Sequence, residues 1–117
     1  MSVLHIIAAG LIVFATIFHS VMGEKKLIAP TLAVDDPFIQ KPMTQGITRF
    51  GWHAASGFFL LTALTIVLPE VPAMLIWATG GLWVILGLAN LIMLKAKHPG
   101  GYLLSLIGLL ILAGEAL

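Results

Sequence analysis

Four long apolar runs, almost free of charge, constrain this chain more than any other feature of its sequence. They cover roughly residues 3–22, 50–68, 72–94 and 100–117. About 20 residues carry a helix across a ~30 Å hydrocarbon layer. Within lipid each unpaired backbone group costs several kcal/mol, so a helix is the form such runs take. The expected fold is all-α, a four-transmembrane-helix up-and-down bundle built as one domain over residues 1–117. Composition agrees: 60% of residues are hydrophobic and 9% charged, whereas a soluble domain carries about 25% charged residues. The first run follows no basic residue and is too long for the apolar core of a signal peptide, so it reads as a retained span.

The connections differ in character. Residues 23–49 hold Pro30, Pro37 and Pro42 and read as a loop of mixed polarity. Within it, residues 27–34 suit a short amphipathic turn or helix along the interface, limited by Pro30. The second connection is the tight 69–72 turn, and the third is 95–100, where Pro99 and Gly100 stop one helix and start the next. Short links imply antiparallel neighbours.

Charge orients the bundle. Lys25, Lys26, Lys41 and Arg49 fall in the first connection, and Lys95 and Lys97 in the third. Four spans put those two connections on one side, and the positive-inside rule makes that side cytoplasmic. Both termini then lie on the outer, periplasmic side.

Several function classes drop out. The chain has no cysteine, so disulfides, thiolate metal sites and thiol catalysis are absent. A net charge of +1, with no basic stretch interleaved with aromatics, argues against nucleic acid as a partner. There is no glycine-rich phosphate loop and no base–nucleophile pair, so an enzyme is less expected than a binding protein and would need a bound metal.

The scarce polar side chains gather near the cytoplasmic ends of the spans. His19 closes the first run, with Ser20 beside it and Glu24 just beyond. Arg49 and His53 stand one turn apart at the start of the second, and Asn90 lies one turn inside the end of the third. Ionisable groups near the membrane interior are costly and usually mark function. His19, Glu24 and His53 are candidate ligands for a divalent metal, since imidazole and carboxylate suit zinc, iron or manganese. Arg49 and Asn90 are candidate ligand-binding residues beside them. Arg49 with a protonated histidine would instead take a small anion, and His19 with His53 form a less favoured pair of haem axial ligands. The structural alternative has Glu24 paired with Arg49, the histidines as interfacial anchors and the lysines on anionic lipid.

Small residues recur at helical spacing. Gly80, Val84, Gly87 and Asn90 share one face, and Gly101, Ser105 and Gly108 another, as expected of seams between closely packed helices. His5, Glu70 and Glu115 read as solvated outer surface, and His98 as a cation at a helix C-terminus. Trp52 fits an interfacial belt, while Trp83 falls near mid-span.

The segments His19-Ser20-x-x-Gly23-Glu24 and Arg49-Phe50-x-Trp52-His53, on four short spans, resemble a group of small uncharacterised bacterial four-helix integral membrane proteins. The resemblance covers the first two helices and their connection. It implies a multi-pass protein of the bacterial inner membrane, lends weight to the His/Glu/Arg cluster, and supplies no activity. Small multidrug-resistance transporters are similar in length and span count, but they need a carboxylate inside the first span, and none precedes Glu24 here. The expected function is therefore binding of a metal or small anionic ligand at a cytoplasmic-side His/Glu/Arg site. The alternatives are a structural or accessory subunit of a larger membrane complex, a homo-oligomer, or a small dimeric transporter.

Overall fold

A computed structural model describes residues 1–117 and is helical throughout, with no strand. Helix α1 spans Val3–Gly23 and passes without a break into a π-helical turn, Glu24–Ile28, and then α2, Ala29–Leu32. Helix α3 spans Pro42–Val67, α4 spans Ala73–Met93, and α5 spans Gly100–Ala116. The continuous Val3–Leu32 rod, α3 and α4 are each long and apolar enough to cross a membrane. This is a membrane helical protein. At 17 residues, α5 reaches about 25 Å at 1.5 Å per residue, slightly less than the layer the other helices are long enough to cross.

The segment expected as a loop over residues 23–49 is instead mostly helical, and only residues 33–41 join the two rods. The prolines explain the difference. Pro30 has no N–H to give residue 26, and its ring would press on that carbonyl. The turn before it widens, so that the Ala29 N–H reaches back to the Glu24 carbonyl, five residues away. Pro30 then occupies the first turn of α2, and Pro42 is the first residue of α3, where proline's fixed φ favours a helix. What reads as breaking is two helix starts.

By contacts the chain divides into two compact units, Val13–Leu60 on one hand and Met1–Ile12 with Leu61–Leu117 on the other. In the first unit, residues 33–41 are tied down by one side-chain carboxylate and two side-chain amides. Asp36 Oδ1 accepts from the Phe38 and Ile39 N–H groups at 2.8 and 3.2 Å. Gln40 Nε2 donates to the carbonyls of Leu32 and Val34, and Gln45 Nε2 to those of Leu32 and Ile39, all within 3.1 Å. Leu32, whose carbonyl ends the rod, is itself buried.

In the second unit α4 and α5 form an antiparallel hairpin along a seam of small residues. Gly80 faces Ile111 and Leu112, Gly87 faces Ser105, and Gly101 faces Leu91. Gly108 lies against the backbone of Gly80 and Val84, so close that a β-carbon there would collide with main-chain atoms. These are the faces that helical spacing marked in the sequence, and their small side chains allow the backbones to touch. Trp83 is 1% exposed, and its indole N–H donates to Thr62 Oγ1 at 3.0 Å.

His5 departs from expectation. It is buried rather than solvated, because Gly114 leaves room for its ring, and its Nε2 donates to the Ile111 carbonyl at 3.2 Å.

Candidate functional site

The polar cluster lies wholly within the Val13–Leu60 unit, on the end of α1, the π-turn and the first half of α3. On α3, Arg49, His53 and Ser56 follow steps of four and three residues and so share a face. On the other rod, Ser20 and Glu24 are four apart, with His19 beside them. The rods run antiparallel here, so Glu24 meets Arg49 and His53 while His19 and Ser20 meet Ser56.

Glu24 is the hub. Arg49 Nε donates to its Oε1 at 2.6 Å, and His53 Nε2 bonds its Oε2 at 3.2 Å. The other nitrogen of His53, Nδ1, bonds Ser20 Oγ at 3.1 Å. Ser20 Oγ lies 2.6 Å from Ser56 Oγ, and Ser56 Oγ lies 3.0 Å from His19 Nδ1. Five side-chain contacts thus join Arg49 to His19 without a gap. Ser56, in the middle, is buried. Arg49, His53 and Glu24 are partly exposed at the cluster's rim.

Trp52 holds the inner end. Its ring stacks on His19 with centroids 4.2 Å apart and planes at 8°, while Phe59 meets the same imidazole edge-on at 5.2 Å. The Trp52 N–H donates to the His19 carbonyl at 2.9 Å. The indole can approach because residue 23 is glycine: a β-carbon there would collide with the Trp52 indole.

Comparison with protein-family models, curated proteins and solved structures finds no match for this chain. The site is therefore read from its own geometry.

Glu24, Arg49 and His53, singled out in the sequence, are in direct contact. His19 joins them only through Ser56 and Ser20, and no group of three His, Asp or Glu side chains is arranged to hold a metal ion. Both His53 nitrogens are engaged, leaving none for an axial haem bond. Asn90 belongs to the other unit, where its side chain lies against Gly100 and Gly101, and its buried Oδ1 has no hydrogen-bond partner. The sequence reading missed the linking roles of Ser20 and Ser56 and the stack of Trp52. Their spacing was the available signal: Ser20 precedes Glu24 by one turn, and Ser56 follows His53 by one.

Two groups at the cluster retain free capacity. Arg49 uses only Nε, and its two terminal nitrogens make no hydrogen bond within the chain. His19 Nε2 also has no partner in the chain, yet is not buried. Lys25 and Lys26, both exposed, follow Glu24 directly. With Glu24 neutralised by Arg49, the rim carries an excess of positive charge.

Proposed function

We infer that this chain is a multi-pass protein of the bacterial inner membrane that binds a small oxyanion, free or as a lipid headgroup, at the rim of its His/Glu/Arg cluster. The observation that carries the reading is the half-used guanidinium of Arg49. Glu24 fixes its orientation through Nε, and the terminal nitrogens remain as a planar fork of the kind that matches a carboxylate or phosphate. Lys25 and Lys26 add long-range attraction for the same charge sign, each worth about 1 kcal/mol near an anionic surface. The metal version is less well supported, since His53 and Glu24 satisfy each other and His19 stands apart from both.

Binding is measured on detergent-purified protein with inorganic phosphate, acetate and phosphatidylglycerol in mixed micelles, alongside an Arg49→Gln variant. At least one anion should bind, and the variant should bind it roughly tenfold or more weakly, the loss of one charge-assisted hydrogen bond worth about 1.5–3 kcal/mol. Preference for phosphatidylglycerol over phosphate would point to the headgroup, and the reverse to a free anion. Equal binding by both proteins, or none by either, would favour an accessory subunit whose charges only anchor it.

Orientation has its own check. Because the chain has no cysteine, Lys25→Cys and Lys97→Cys report accessibility cleanly. Both should be blocked from an impermeant thiol reagent in intact cells and labelled in inverted vesicles. Labelling of one from each face would remove the proposed topology.

A further inference from the structure

Two members of the cluster have fixed hydrogen-bonding roles, and these set the direction of every other link. An ionised carboxylate only accepts and a guanidinium only donates. Opposite Glu24, then, His53 Nε2 must carry a proton. In the neutral ring Nδ1 is then a lone pair, so Ser20 donates to it. A hydroxyl has one proton, so Ser20 must accept from Ser56 across their 2.6 Å contact. Ser56, having donated to Ser20, can only accept from His19, whose Nδ1 therefore carries the proton. The result at the far end is a bare lone pair on His19 Nε2. It makes no hydrogen bond in the chain and is not buried, and it belongs to a ring clamped by Trp52 and Phe59.

We propose that His19, Ser56, Ser20, His53 and Glu24 form a proton wire, with His19 Nε2 as its receiving base and the His53–Glu24 pair as its outlet. A proton delivered to Nε2 by water, or by an ammonium or acidic hydroxyl ligand, forms one N–H bond there. His19 releases its Nδ1 proton to Ser56, Ser56 releases its own to Ser20, and Ser20 protonates His53 Nδ1. Each step breaks one bond to hydrogen and forms one. The added charge comes to rest as the His53 imidazolium against the Glu24 carboxylate, at the partly exposed rim. The donor is left with one proton fewer, and no other atom moves. The groups facing this path are Glu24, Arg49 and the two histidines, with Lys25 and Lys26 next along the chain. The wire is independent of whether Arg49 holds an anion, since it uses none of that residue's free nitrogens.

The direct test is the tautomer of each imidazole, read by nitrogen–proton correlation NMR of histidine-labelled protein in micelles at a pH where both rings are neutral. Single histidine variants supply the assignments. In the wild type His53 should be the Nε2–H tautomer and His19 the Nδ1–H tautomer, the form that free histidine disfavours. Ser20→Ala should cut the wire, free the Ser56 hydroxyl to donate, and convert His19 to Nε2–H while the circular dichroism stays unchanged. Glu24→Gln offers a second cut, because a carboxamide both donates and accepts, and it should leave His19 a mixture. An Nε2–H tautomer at His19 in the wild type would overturn the proposal. So would a folded Ser20→Ala protein in which His19 does not change.

Discussion

Replacing Trp83 by alanine should lower stability by about 3–5 kcal/mol, the range for emptying a fully buried large aromatic site. Trp83 is among the largest side chains with almost no exposed surface, so alanine in its place leaves a large cavity. Trp83→Phe separates the contributions. It keeps most of the packing and gives up the hydrogen bond to Thr62, which within helical membrane proteins is worth on average about 0.6 kcal/mol. Unfolding in a denaturing detergent, followed by circular dichroism, should therefore place the phenylalanine protein close to the wild type and the alanine protein far below it. Equal losses would mean that the hydrogen bond, rather than the ring, carries the effect.

Gly23→Leu should dismantle the inner end of the polar cluster. Even a β-carbon at residue 23 overlaps the Trp52 indole, so the ring must leave. With it goes the stack on His19, worth about 0.5–1.5 kcal/mol, and the hydrogen bond to the His19 carbonyl. Overpacking of this kind costs about 1–3 kcal/mol in all. The local signature is decisive: nuclear Overhauser contacts between the Trp52 and His19 rings should vanish, while those between Trp83 and Thr62, in the other unit, persist. Retention of the Trp52–His19 contacts would mean that the added side chain is accommodated without displacing the indole. Because the His19 ring is held by Trp52, the same variant should also loosen its bond to Ser56.

Much of the site could be read in the linear sequence. Glu24 and Arg49 flank the same connection between two successive apolar runs, which puts both at one depth, and His53 follows Arg49 by one turn. That reasoning uses only helix period and run length, and it found the three residues in contact. Asn90 was added on depth alone, which says nothing about which way a residue faces around its helix axis, and its side chain lies against Gly100 and Gly101 in the other unit. It also failed for His5. Position near a chain end suggested solvent, whereas a glycine more than a hundred residues away makes a pocket for the ring.

Sequence by itself determined that the chain is helical and suited to lipid. That outcome follows from composition and run length, which are additive along the chain and need no knowledge of partners. Tertiary structure alone decided how the polar groups connect. Whether Ser20 meets His53, or Trp52 covers His19, depends on the rotation and separation of two helices to within a fraction of an ångström, since hydrogen bonds fail beyond ~3.5 Å. The π-turn at Glu24–Ile28 takes part in setting that rotation. It exists because Pro30 perturbs the backbone ahead of it while the surrounding packing keeps the helix going. No local pattern encodes that balance, and the direction of the hydrogen-bonded chain from His19 to Glu24 emerges only once its links stand side by side.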